Sequence, residues 1–158
     1  MALAIKNLTR RASCVAGLPF LKVAKEMAPS YDISLAFVTP AKARALNKQL
    51  RNKDYIPNVL SYALGAKSGE ILICLAEAQK QAPAYAMTER DFILYLFIHG
   101  LLHVKGGVHG ATMERSERKL LAKFAKNGAR SLLNVTTHSN RNRHRHVPSK
   151  DGRRRGAR

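Results

Sequence analysis

Acidic residues are scarce in this chain: 10 Asp plus Glu stand against 28 Lys plus Arg in 158 residues, a formal charge of +18, and the first acid is Glu26. A surface that is merely soluble mixes the two signs more evenly, so the deficit points to a polyanionic partner recruited by counterion release and steering. Long apolar runs are missing too. None approaches the ~20 residues of a membrane span, and the opening lacks the apolar core of a secretory signal, so no membrane partner is expected. An acid-free start containing arginine also describes some organellar transit peptides, but Leu3 to Leu8 reads equally well as an opening strand. The cytoplasm is therefore the expected location, with an organellar matrix as the alternative. Cysteine is limited to Cys14 and Cys74, in no CxxC pattern; two incidental thiols in a reducing compartment fit this, and one bridge between them stays open. Histidine is absent from the first 98 residues.

The length suits one compact domain with a basic end rather than two domains. Residues 141–158 carry eight Lys and Arg against Asp151 alone, a formal +7, which leaves the body at +11. After Asn134 the chain is Ser, Asn, His and Arg with no pattern that repays the entropy of ordering. The expected organisation is a domain over 1–134 and a disordered basic tail over 135–158.

Within the domain an alternating order of α and β elements emerges. Leu3–Leu8, Ile33–Val38, Val59–Leu64 and Ile71–Leu75 have strand length and composition, and Gly65 to Gly69 reads as a turn between the last two. Leu18–Ala28 is a short helix closed by Pro29. Thr39-Pro40 supplies an N-cap hydroxyl and a proline at the first helical position, so Ala41–Leu50 should be helical. Ala76–Gln81 makes another short helix, stopped at Pro83. Thr88 and Asp91 resemble a capping box opening a long helix whose Phe92, Ile93, Leu96, Phe97, Leu101 and Leu102 form an apolar stripe, and a last helix runs from Met113 to Lys126. The fold class is α/β (α+β): a single domain with a small mixed sheet of about four strands packed with helices, and a metal site at the end of a core helix.

That site is His99-Gly-Leu-Leu-His103-Val-Lys-Gly106-Gly107-Val-His109. On a helix His99 and His103 stand one turn apart on one face, about 6 Å between Cβ atoms, and can share an ion. Gly106 and Gly107 can adopt the left-handed conformations that end the helix and return the chain, bringing His109 from a loop. Three protein ligands leave one position open, where zinc lowers the pKa of water to about 7. His138, His144 and His146 lie among arginines in the tail and read as solvated residues. The spacing also matches the ligand pattern of metzincin peptidases, with Met113 as a candidate turn methionine. Those enzymes need a glutamate after the first histidine as general base, and here that residue is Gly100.

A second constellation runs from Leu46 through Arg51-Asn-Lys-Asp-Tyr-Ile-Pro-Asn-Val-Leu-Ser to Tyr62, a basic loop leading into a strand. Together the two constellations resemble the YbeY-type endoribonucleases, also described as rRNA maturation factors. That family's metal motif reads His-Gly-x-Leu-His-Leu-x-Gly-x-Asp-His, and its arginine loop leads into Val-Leu-Ser-Phe. Gly69-Glu-Ile-Leu-Ile, Ala78–Ala82 and Met113–Leu121 are similar to further family segments, so the resemblance covers about residues 3–126. Three departures stand out: Val108 where the family has Asp, a carboxylate able to orient an imidazole or a water; Ile56-Pro57 in place of Pro-Thr; and Tyr62 in place of Phe.

The resemblance implies a single-strand-specific, metal-dependent endoribonuclease acting in rRNA maturation and ribosome quality control. Its partners would be RNA, above all rRNA and the small ribosomal subunit, with ribosomal or ribosome-associated proteins. One Zn2+ on His99, His103 and His109 would activate water, and Arg51 would serve catalysis by pairing with the scissile phosphate, a task suited to the planar guanidinium fork. Lys48, Lys53 and Lys105 are candidate RNA-binding residues. No general base stands out; Glu114 and Glu117 are candidates that read more simply as solvated residues of the last helix. Two other classes remain: an RNA-binding protein with structural zinc, which needs a fourth ligand from Cys74 or a tail histidine, and a metallopeptidase.

Overall fold

The computed structural model describes residues 1–125. The expectation for a disordered tail over 135–158 and the end of the last helix at Lys126 lie outside these residues.

Four strands form one sheet: β1 (Ala2–Asn7), β2 (Asp32–Val38), β3 (Val59–Gly65) and β4 (Ser68–Cys74), in the spatial order β1-β2-β4-β3. β1 runs parallel to β2 and β2 to β4, whereas β3 is antiparallel to β4, with Leu60 opposite Leu72 and Tyr62 opposite Glu70. The sheet is therefore mixed, as the sequence indicates. The strands β3 and β4 run closer together than their turn signals suggest, since Gly65 and Ser68 still pair.

The described residues form five α-helices, α1 (Phe20–Met27), α2 (Pro40–Arg51), α3 (Leu75–Gln81), α4 (Glu89–Val104) and α5 (Ala111–Phe124), the last packing on α4. A short 3-10 turn, Ala82–Tyr85, continues α3 past Pro83. The caps form where the sequence places them. Thr39 accepts a hydrogen bond from Lys42 N with Pro40 at the first helical position, and Thr88 accepts from Asp91 N at 3.1 Å. Only that half of the capping box forms, because the buried Asp91 Oδ2 has no partner among the described residues.

Strand alternation sends residues to two cores. Ile33, Leu35, Phe37, Ile71 and Ile73 face α1, α3 and α4, while Ala36, Val38, Leu60, Leu72 and Cys74 form a smaller layer with Ala43 of α2. Cys74 is buried, Cys14 is half-buried, and both are free thiols.

The helix α4 departs from the expected single stripe. Leu94, Ile98 and Val104 are buried together with Phe92, Ile93, Leu96, Phe97 and Leu101, so it is enclosed on most sides, as a helix apolar around its circumference must be. Two glycines let it lie this close to the sheet. A Cβ on Gly69 would stand 2.3 Å from Val104 Cγ1, and one on Gly100 would stand 2.9 Å from Ile71 Cγ2. The polar face left to α4 is the one that carries the histidines.

Candidate metal centre and its cleft

His99 and His103 lie in the last two turns of α4, whose C-terminus is a Schellman motif. Gly106 has φ +86°, its N–H donates to His103 O at 2.9 Å, and Gly107 N–H donates to Leu102 O at 2.8 Å. Of the two glycines, only Gly106 uses the left-handed conformation. Gly107 is required for a different reason, since a Cβ there would sit 2.8 Å from Leu102 O. The reversed chain brings His109 back. The three imidazoles offer nitrogens all within 4.8 Å of one another, with ring centroids 4.6, 5.2 and 4.5 Å apart for the pairs 99/103, 99/109 and 103/109.

Hydrogen bonds set the tautomers. His99 Nδ1 lies 2.7 Å from Glu117 Oε1, and His103 Nδ1 lies 2.9 Å from Gly107 O. Carbonyl and carboxylate oxygens only accept, so both Nδ1 atoms carry the proton and donate it. In the neutral rings both Nε2 atoms are then bare, and they face each other at 3.2 Å. Burial, followed by the neighbouring His99 and His109, pushes the His103 pKa down and favours its neutral form. Bare lone pairs at this distance repel unless they share a cation, so the donor set fits a divalent metal.

Glu117 corrects a sequence expectation. It is only 3% exposed, not a solvated residue of the last helix, and its carboxylate is committed to His99. Tyr95 lies on α4 one turn before His99; burial first, and then the Glu117 charge, raises its pKa and keeps the phenol neutral. Glu117 thus holds His99 in place. Glu114 is half-buried. At the surface, Val108 is 81% exposed, and the orientation of His99 and His103 comes instead from Glu117 and Gly107 O. His109 is exposed and makes no hydrogen bond among the described residues.

Removing the carboxylate by Glu117→Ala should weaken metal binding by about 10–100-fold, the usual consequence of losing an outer hydrogen-bond partner. Competition against a chelating dye reads this directly. An unchanged affinity would show that His99 needs no such support.

A cleft of about 590 Å³ opens over the three histidines, lined also by Leu50, Arg51 and residues 59–62. Arg51 reaches it from the last turn of α2. The helix ends at Asn52, left-handed at φ 53°, and the loop beyond is tied back by Asn47 Nδ2 donating to Tyr55 O at 3.0 Å. Arg44 Nε pairs with Asp54 at 2.7 Å, which holds the Asp54 carboxyl below its ordinary pKa. Sequence reasoning missed Asn47, whose complete burial marks it as the loop's anchor. Arg51 itself has no hydrogen-bond or ion-pair partner among the described residues, which leaves its fork free for an anion. The Tyr62 hydroxyl donates to Glu70; burial and this bond push its pKa up to about 12, so it is a neutral phenol on the cleft wall.

The lysines divide. Lys53 is exposed on the loop after α2, and Lys48 is exposed with Asp54 4.0 Å away. Lys105 does not line this cleft; its Nζ donates to Met27 O and pins the end of α1 to that of α4. Gly100 faces Ile71 of the sheet, so a side chain at the position where metzincins carry their general base would meet the core instead of the cleft.

The family model described as Endoribonuclease YbeY matches residues 5–127. The chain is 31% identical over 110 residues to an Endoribonuclease YbeY of Finegoldia magna, covering 65% of this chain and 70% of that protein. With the Mesoplasma florum protein of the same name it shares 30% over 115 residues, 66% of this chain and 65% of that one. Against the solution structure of TM1509 from Thermotoga maritima the TM-score is 0.57 at 19% identity, over 96% of this chain and 99% of that one, a likeness of fold.

Proposed function

The chain belongs to the Endoribonuclease YbeY family, and from that membership we propose that it is a Zn2+-dependent endoribonuclease that cuts single-stranded RNA during rRNA maturation and ribosome quality control. The observation that carries the reading is the juxtaposition of three histidines, two of them with Nδ1 bound to an oxygen acceptor, and an arginine without a partner among the described residues around one open cleft. His99, His103 and His109 would hold the ion, which when bound supplies Lewis acidity at a phosphoryl group and a more acidic water.

The chain's own residues do the rest. Glu117 and Gly107 O fix the two helical imidazoles in one tautomer, so binding an ion costs little reorganisation. Arg51 binds the scissile phosphate through paired N–H donors and stabilises the charge that builds there. The +11 body and +7 tail attract the rest of the strand. A cytoplasmic site of action on the small ribosomal subunit completes the proposal.

The test uses one labelled RNA sequence, presented as a single strand and as a duplex, with protein before and after chelation and after Zn2+ is returned. Cleavage of the single strand alone, lost on chelation and restored by Zn2+, is the expected result. Equal cutting of the duplex, or cutting indifferent to chelation, would refute the corresponding part of the reading.

A further inference from the structure

A second cleft of about 580 Å³ adjoins the first and shares Arg51, Val59 and His99 with it. Its wall carries a hydrogen-bonded row. Asn58 Nδ2 donates to Gln81 Oε1 at 2.7 Å, and Gln81 Nε2 donates to Glu77 Oε1 at 2.8 Å. The carboxylate can only accept, so it orients every amide behind it: Gln81 must turn its NH2 to Glu77 and its carbonyl to Asn58, and Asn58 must answer with its own NH2. This leaves Asn58 Oδ1 and one Asn58 N–H without partners among the described residues. An amide with a free acceptor and a free donor is the group that reads the edge of a nucleobase, and here it is already oriented. On the same cleft stands Tyr55, 50% exposed, an aromatic whose backbone carbonyl is held by buried Asn47.

We propose that this second cleft is a nucleobase subsite: Tyr55 stacks on the base of the nucleotide whose phosphate lies on Arg51, and Asn58, oriented through Gln81 by Glu77, hydrogen-bonds the base edge. The proposal rests on the reading that the substrate is single-stranded RNA. Arg51 and His99 line both clefts, so a phosphate on the Arg51 guanidinium borders the histidine cleft and the subsite together. Stacking tolerates any base, because every base offers a π-face. The Asn58 amide adds orientation to that grip.

Adenosine 5′-monophosphate and ribose 5-phosphate are suitable probes, since neither has a phosphodiester to cut. Both are titrated into the full chain with its metal, following the side-chain amide signals of Asn58 and Gln81 by NMR. The nucleotide should bind about tenfold tighter than the sugar phosphate and shift those amides, while the sugar phosphate leaves them still. Tyr55→Ala, at an exposed position, and Asn58→Ala should each erase most of that advantage without changing ribose 5-phosphate affinity or metal content. Equal affinities for the two probes, or an advantage that survives both substitutions, would overturn the subsite. If the wild type cleaves RNA all the same, the nuclease reading stands and only the subsite falls; absence of both RNA cleavage and nucleotide binding would remove both.

Discussion

Replacing His103 by alanine is expected to take the chain from one bound metal ion to almost none, once His138, His144 and His146 have been replaced so that the tail cannot hide the loss. His103 contributes an imidazole already held in its metal-ready tautomer by Gly107 O, with Nε2 3.2 Å from that of His99. Its removal leaves His99 and the exposed His109, which has no hydrogen bond among the described residues, so the loss should exceed the roughly 10–100-fold that follows removal of an outer partner. Metal content after dialysis against a weak chelator is the direct measure. Stability supplies a second one: a ligand present at 100 times its Kd stabilises the folded state by about 2.7 kcal/mol. Chelation should therefore lower the melting temperature of the parent and leave His103→Ala unmoved. Full stoichiometry in the variant would refute the assignment.

Arg51→Ala should reduce the single-turnover cleavage rate at saturating RNA by about 10²–10³-fold, the range seen when one donor to a developing oxyanion is removed, while altering RNA affinity little. The side chain lines the same cleft as the three histidines and has no partner within the described residues, so its donors are free for one phosphate. Removal of residues 138–158 should do the opposite. A run of arginines contacts many phosphates and fixes none, so deletion should weaken binding and flatten the salt dependence while the rate at saturation persists. Loss of cleavage at saturating RNA on tail deletion, or an Arg51→Ala effect confined to affinity, would reverse these roles.

The elements legible in the sequence are those whose causes lie within a few residues. Thr39-Pro40 and Thr88 cap helices because a hydroxyl finds its partner three positions on, and Gly106 ends α4 because its left-handed φ is a local preference. The same locality made the His99/His103 pair readable, one helical turn apart. The chain's alternation also indicated four strands. It could not say that α4 would be enclosed on most sides, because an apolar stripe and a central helix differ only in what else packs on them.

Tertiary structure decided the rest of the site. Glu117 looks in sequence like one more charge on an amphipathic helix. Only the packing of α5 on α4 sets it 18 residues away against His99 Nδ1, buried and committed as an acceptor. Gly100 and Gly69 carry no sign of the Ile71 and Val104 side chains that press on them. Arg51 took its role in the sequence from the family resemblance alone, and only the fold brought it to the histidines' cleft; Lys105, beside the motif in sequence, is drawn off to Met27 O. The residues therefore determined by themselves the caps, the helical histidine pair and the excess of positive charge, each arising from local geometry or composition. Which side chains surround the metal site was decided by how helices cross a sheet, because hydrogen bonds and close contacts act over a few ångströms in space and leave no periodic mark along the chain.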